Sequence, residues 1–352
     1  MNTSFLLYGS YGYTGSLIAD LAVKYGMNPI LSGRDITQLQ TQAEKLGFEY
    51  RAISLDDPGS LQVALGEVPL VLNCAGPFRY TYKPMVEACL RTGRHYLDIT
   101  GEIGVFESLA KRDAEAKGAG VMLLPGIGYD VAPSDCLAMH LHQRLPQATH
   151  LAIMISSLGG GISRGTALSA IEGLPGLGLI RENGKLLQVP LVSKTRQVDF
   201  GNGPRTAVSF PWGDVSTAFY STGIPNIEEF MVFKRSYVRI LRLLRPLTSL
   251  TGKPSVQRWL KQRVMKLPPG PSEEVRRTGR SRLVGEASDD QGHKVVTRLE
   301  TPNGYSLTAE TALAAVRRVL AGDFKAGFQT PAMAYGADFI LEFEGVKRED
   351  IA

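Results

Sequence analysis

Short apolar runs alternate with amphipathic segments over the first 126 residues of the chain. Residues 5–9, 29–33, 49–53, 70–75, 95–99 and 120–124 read as strands, and 13–25, 36–46, 59–65, 83–91 and 105–117 as the helices between them. In Leu70-Val71-Leu72 the apolar residues occupy consecutive positions, so both faces of that strand are covered. Strands of this kind separated by helices predict an α/β fold: an N-terminal Rossmann domain with a parallel sheet and helices on both faces.

Past Gly126 the rhythm changes. Residues 133–144 read as a helix capped by Ser134 or Asp135, 150–156 as a strand and 163–172 as a helix. Further strands are expected at 187–192, 208–211 and 229–233. A strand pair at 280–287 and 294–301 leads into the turn Pro302-Asn303-Gly304, and a helix over 309–320 ends at Gly322. The pattern predicts an α+β second domain with a mostly antiparallel sheet.

The length of 352 residues supports two domains rather than one. No apolar run approaches the roughly 18 residues of a spanning helix. The opening MNTSFLLYGSYGYTG lacks the basic start and apolar stretch of a secretory leader. Cys74, Cys89 and Cys136 have neither zinc-ligand nor disulfide-framework spacing, so no metal is expected and the thiols read as small buried groups in a reducing cytoplasm. The net charge of +5 is unevenly placed: residues 234–282 carry 14 Lys and Arg against two acids, Glu273 and Glu274. The runs VRILRLL and WLKQRVMKL inside this segment interleave apolar and basic positions. Two readings stay open: a solvated face over an ordinary packed helix, or peripheral contact with an anionic membrane. Sparse aromatics and the lack of a recognition motif argue against nucleic acid.

Candidate chemistry begins at Gly9-Ser10-Tyr11-Gly12-Tyr13-Thr14-Gly15, which follows a strand and opens a helix. Gly9 permits the tight turn, Gly12 lets backbone approach a pyrophosphate, and Gly15 lets helix and sheet pack closely. The free N–H groups of the helix start then face the phosphates. The second strand ends Ser32-Gly33-Arg34, without the acid that holds a ribose 2′-hydroxyl in NAD-binding proteins. An arginine there pairs with a 2′-phosphate, so the expected cofactor is NADP(H). Cys74, Ala75, Gly76 and Pro77, at the end of the fourth strand, suit close approach of the nicotinamide half. Asp98 and Glu102, at the end of the fifth strand, either lie at the nicotinamide, or Asp98 with Thr100 caps the helix after Glu102.

Taken together, GSYGYTG, SGRD, VLNCAGPF, YLDITGE and PGIGYDVAPSD resemble the saccharopine dehydrogenase-like oxidoreductases, and within them the subgroup that holds the trans-acting enoyl reductases. TPNGYSLTAETA and GFQTPAMAYGADFI near the C-terminus are similar to the same family. The resemblance implies an NADP-binding domain over 1–130, a substrate and dimerisation domain over 131–325, and a segment 326–352 that returns toward the first. It implies hydride transfer but no particular substrate. Asp130 and Asp135 match a Gly-x-Asp-x-x-x-x-Asp pattern at the domain junction.

For proton supply or substrate anchoring the candidates are Tyr129, Asp130, His140, Arg164 and Glu172, with Tyr129, Asp130 and Arg164 the expected catalytic residues; His140 and His142, which alternate on a predicted helix, read as surface or core histidines. Two functions follow. One is a reductase acting on a carbonyl, imine or enoyl substrate, with the apolar run GLPGLGLI at 173–180 lining an acyl-chain pocket. The other is a non-catalytic NADP(H)-binding protein at a membrane surface. A cytoplasmic homodimer is expected in the first case.

Overall fold

The computed structural model describes residues 4–158, 161–173, 178–244 and 251–352. The chain forms two compact units. The first takes Met1–Ala132 and Tyr305–Ala334, and the second Pro133–Gly304 and Tyr335–Ala352.

The first unit opens with β1 (Ser4–Tyr8), α1 (Tyr13–Lys24), β2 (Asn28–Gly33), α2 (Ile36–Leu46), β3 (Tyr50–Ala52) and α3 (Pro58–Gly66). It continues with β4 (Leu70–Asn73), α4 (Phe78–Thr92), β5 (His95–Asp98), α5 (Ile103–Ala110), α6 (Asp113–Gly118) and β6 (Met122–Leu124). The strands lie in the order β3-β2-β1-β4-β5-β6, all parallel. Phe5, Leu6, Leu7, Leu70, Val71 and Leu72 are fully buried, as continuous apolar strands under two layers of helix should be. Helix starts follow local chemistry: Asp35 caps α2 through Gln38 N, and Asp57 with Pro58 opens α3.

Two helices depart from expectation. Helix α4 begins at Phe78 rather than at 83, because Glu102, distant in sequence, accepts the N–H groups of Phe78 (2.7 Å) and Arg79 (3.0 Å). The expected helix 105–117 is broken into α5 and α6. The restart at Asp113 lets that carboxylate pair with Lys117 and accept the N–H of Phe328, near the C-terminus, at 3.0 Å.

The second unit contains α7 (Ala132–Arg144), β7 (His150–Leu158), α8 (Arg164–Gly173), β8 (Gly178–Glu182), β9 (Lys185–Val189), β10 (Thr195–Asp199), β11 (Pro204–Ser209), α9 (Asp214–Thr222) and β12 (Asn226–Met231). After these come α10 (Arg235–Leu244), α11 (Pro254–Val264), α12 (Glu273–Thr278), β13 (Arg280–Ser288) and β14 (Lys294–Pro302). The sheet is mixed and mostly antiparallel, with β12 and β7 its parallel pair. Helix α7 packs closely on it at Gly285, where any Cβ would overlap Leu141. The expected strand at 187–192 is the second arm of the β8–β9 hairpin, whose turn residues Asn183 and Gly184 both have positive φ, 49° and 75°. Strand β10 and helix α9 were not expected. The inward face of α9 is Asp214, Ser216, Thr217 and Thr222 as well as Val215 and Ala218, so no apolar stripe marks it. Gly159, Gly160, the stretch 174–177 of the apolar run, and 245–250 of the basic segment lie outside the described residues.

The chain then returns. Helix α13 (Gly304–Leu320) belongs almost wholly to the first unit, and β15 (Gly327–Phe328) extends its parallel sheet beside β6. After the short α14 (Pro331–Tyr335), β16 (Lys347–Asp350) pairs antiparallel with β14 in the second unit. The division therefore differs from the expected 131–325 and 326–352. The apolar face of α13, including Leu307, Ala312, Leu313 and Val316, is buried in the first unit, whereas the final strand completes the second.

Candidate functional site

The carboxyl ends of the first unit's strands carry the candidate residues, the position where parallel sheets bind ligands. Gly9 has φ +80°, and a Cβ there would come within 2.9 Å of Ala75 N. At Gly15 a Cβ would overlap the Gly9 carbonyl oxygen, so the loop and α1 close together only without side chains. The loop is tied to β2 by Gly9 N and Ser10 N, which both donate to Ser32 O. Gly12 is the N-cap of α1; no side chain caps this helix and no acid lies in its first turn. The Ser10 side-chain oxygen is buried and has no hydrogen-bond partner among the described residues. Tyr13 packs edge-on against Tyr305 at 5.1 Å, with Thr14 beside it in the first turn. An uncapped twelve-residue helix start, entered through a loop that admits no Cβ at Gly9 or Gly15, fits a pyrophosphate.

At the end of β2, Ser32 is fully buried and its hydroxyl donates to Arg51 O at 2.9 Å, so it fastens β2 to β3. Arg34 is exposed, and its guanidinium forms no hydrogen bond or ion pair with a described residue. Asp35 faces α2 instead, and its bonds from Gln38 hold the carboxyl below its ordinary range. A guanidinium unpaired among the described residues, next to an Asp35 carboxylate taken up by Gln38, fits a 2′-phosphate.

The ends of β4 and β5 are organised by a polar network that the sequence did not disclose. Asn73 Oδ1 accepts from Ala75 N and its Nδ2 donates to the Tyr96 hydroxyl, which donates to Asp98 Oδ2 at 2.7 Å. Asp98 Oδ1 accepts the N–H groups of Thr100 and Gly126, both at 2.9 Å. Asp98 is wholly buried with both oxygens engaged; burial pushes its carboxyl up to about 6 against the pull of those bonds. It staples the end of β5 to the turn after β6. Thr81 holds Ala75 O at 2.7 Å, and the Gly76–Pro77 bond is cis. Burial pushes the Cys74 thiol far up, so it stays neutral. The one polar residue of β4, Asn73, was the available signal for this network.

Asp130 behaves differently from Asp98. It is half-buried, and its carboxylate lies over the backbone of Gly101, where a Cβ would meet Oδ2 at 3.0 Å. It hydrogen-bonds to no described residue, and desolvation pushes it up to about 6. The N–H of its neighbour Tyr129 is donated to Thr308 Oγ1 at 2.9 Å. Arg164 belongs to the second unit, where its Nε donates to Leu267 O (2.6 Å) and its N–H to Pro269 O (3.0 Å), holding the chain that follows α11. Asp135 is also in the second unit, fully buried and bonded by the Ser221 hydroxyl. Also fully or almost fully buried in this unit are Asp214 and Glu229, whose carboxyls burial pushes up, Asp214 to about 7. Among the described residues no group of three His, Cys, Asp or Glu is placed to hold a metal, and no helix is long and apolar enough to cross a membrane.

Residues 5–124 match the family model of the saccharopine dehydrogenase NADP-binding domain. The chain is 27% identical over 215 residues to a human saccharopine dehydrogenase-like oxidoreductase, covering 53% of this chain and 50% of that protein. It is 33% identical over 150 residues to a trans-acting enoyl reductase of Mycobacterium leprae, covering 40% and 35%. The chain thus spans about half the length, or less, of the curated relatives it matches. A saccharopine dehydrogenase (L-Glu forming) of Saccharomyces cerevisiae shares the fold at TM-score 0.67, with 14% identity, over 99% of this chain and 100% of that one. Residues 5–124 are therefore matched as an NADP-binding domain, and the chain shares the fold of that saccharopine dehydrogenase.

Proposed function

We propose that this chain, whose residues 5–124 form a saccharopine dehydrogenase-type NADP-binding domain, is an NADP(H)-dependent reductase of a carbonyl, imine or enoyl substrate. Gly9, Gly12, Gly15 and the start of α1 hold the pyrophosphate, Arg34 the 2′-phosphate, and Ala75, Gly76 and Pro77 flank the nicotinamide. The bound cofactor supplies hydride; the protein orients it and manages a proton. Asp130 carries the reading. It is a desolvated carboxyl at the carboxyl end of the parallel sheet, bonded to no described residue and held near 6, where a proton can be both kept and released close to neutrality. Asp98 is unsuited to that task because Tyr96, Thr100 and Gly126 occupy it. The relative named trans-acting enoyl reductase favours the enoyl arm and an acyl-bearing substrate.

NADPH oxidation is to be followed across enoyl, imine and ketone panels. Asp130→Asn is expected to lower turnover by about 100-fold or more while NADPH binding is kept. Wild-type turnover should fall as pH rises through about 6, where Asp130 loses its proton. Tight NADPH binding with background oxidation across all three panels would sink the enzyme reading and leave the non-catalytic one.

Peripheral membrane contact is a second reading, favoured by α11. Its inner side is settled: Leu260 and Val264 pack on Ala167, Leu168 and Ile171 of α8, and Lys261 pairs with Glu172. The outer side presents Trp259, with Arg263 stacked over it at 5.1 Å, and the exposed Met265 and Leu267 follow. No acid occurs between 234 and 266. An indole among cations fits the anionic headgroup boundary. Sedimentation with phosphatidylserine vesicles should be lost in Trp259→Ala; retention equal to wild type removes α11 from the reading.

A further inference from the structure

Tyr11 belongs to the phosphate loop by sequence, but its side chain lies on the end of β2. The ring covers Gly33, where a Cβ would come within 2.5 Å of Tyr11 Cε1. The hydroxyl accepts the N–H groups of Arg34 at 3.1 Å and Asp35 at 3.2 Å. A phenol oxygen has two lone pairs and one proton. The two backbone bonds fill the lone pairs, and the proton meets no acceptor among the described residues. The hydroxyl is left as a donor.

The two residues that donate to it, Arg34 and Asp35, offer it no free acceptor side chain. Arg34, whose N–H it accepts, is exposed, and its guanidinium pairs with no described residue. Both oxygens of Asp35 are engaged by Gln38, Oδ1 by the backbone N–H and Oδ2 by the side-chain amide at 2.7 Å. We propose that Tyr11 is a specificity-determining residue for the phosphorylated cofactor, its hydroxyl donating to the 2′-phosphate alongside Arg34. A 2′-phosphate dianion only accepts, and it meets two donors here, one of them charged. The carboxylate that follows β2, Asp35, is already held by Gln38, so it is not free to take the proton of a 2′-hydroxyl, the contact on which recognition of the unphosphorylated cofactor rests. Gly33 belongs to the same device, since only glycine leaves room for the ring. The inference rests on residues 5–124 binding a dinucleotide, and it adds a second selecting group to Arg34.

The test is calorimetric binding of NADPH and of NADH to the full chain, with no turnover required. Tyr11→Phe keeps the ring on Gly33 and removes the hydroxyl. It should raise the Kd for NADPH about tenfold, the loss expected for one charge-assisted hydrogen bond, and change that for NADH less than about twofold. Gly33→Ala should reproduce the lost preference with Tyr11 and Arg34 both in place, because the added methyl displaces the ring. An NADPH-to-NADH ratio unchanged in Tyr11→Phe overturns the proposal, as does an equal loss for both cofactors. A wild-type chain that binds neither nucleotide overturns the cofactor site and this proposal together.

Discussion

Asp98 and Asp130 show how one residue type acquires two characters a few residues apart in space. Burial pushes both carboxyls up to about 6. Asp98 is locked by three donors, whereas Asp130 bonds to no described residue. In both, the folded state holds a proton more firmly than the unfolded chain does. Each therefore contributes stability that is complete below about pH 4 and is lost as pH rises through about 6. Substitution should separate them. Asp98→Asn replaces an acceptor of two backbone N–H groups and one phenol by an amide that cannot accept all three, at a cost of about 1–3 kcal/mol, or a fall in Tm of several degrees. Thermal melts at pH 7 should show that fall, while Asp130→Asn should leave Tm level or raised. The tight turn at Gly9 and the close packing at Gly15 were legible because backbone geometry acts at short range. The role of Asp98 was not, because Gly126 N reaches it from 28 positions away.

The helices and strands of the first unit were legible because each is defined by its own apolar pattern. The errors fall where an element's limits are set by a distant partner. Helix α4 starts five residues early because Glu102 serves as its cap from the loop after β5. Neither Pro77 nor anything nearby in sequence does that work, and α4 has no capping side chain of its own. Glu102→Ala should therefore fray the first turn of α4 at about 0.5–2 kcal/mol, the usual worth of a cap. Amide exchange at Phe78 and Arg79 should speed up while exchange near Cys89 stays protected; unchanged rates at 78 and 79 would refute the assignment. In the second unit the Asn183-Gly184 pair was a readable hairpin signal. Helix α9 was unreadable by periodicity because its buried face is largely hydroxyl and carboxyl groups, with Thr217 on Asp214 at 3.2 Å and Thr222 on its own helix backbone at Ala218 O.

At the scale of the molecule, two fold classes in the right order were legible, and the division between them was not. A hydrophobic pattern shows that α13 buries one face but not which core receives it. The C-terminal stretch shows the same limit, since β15 and β16 close different sheets only 18 residues apart. A chain ending at residue 326 loses one strand from each sheet. It should show reduced protection from exchange in both β6 and β14, whereas loss confined to one sheet would contradict the pairing.

The two ends of the stretch 133–304 are fastened to each other inside the first unit. Tyr129 N donates to Thr308 Oγ1 at 2.9 Å, and the Thr311 hydroxyl donates to Ile127 O at 2.7 Å. Topologically, the second unit's main body is a cassette spliced into a nucleotide-binding host whose splice sites stay clasped. Short chain segments can join such neighbouring ends at little entropic cost. A host bridged from 132 to 305 by a few glycines, and stopped at 334, should fold as a minimal NADPH binder. Cassettes of other shapes, set into the same clasp, would then offer a route by which one cofactor domain comes to serve unlike substrates.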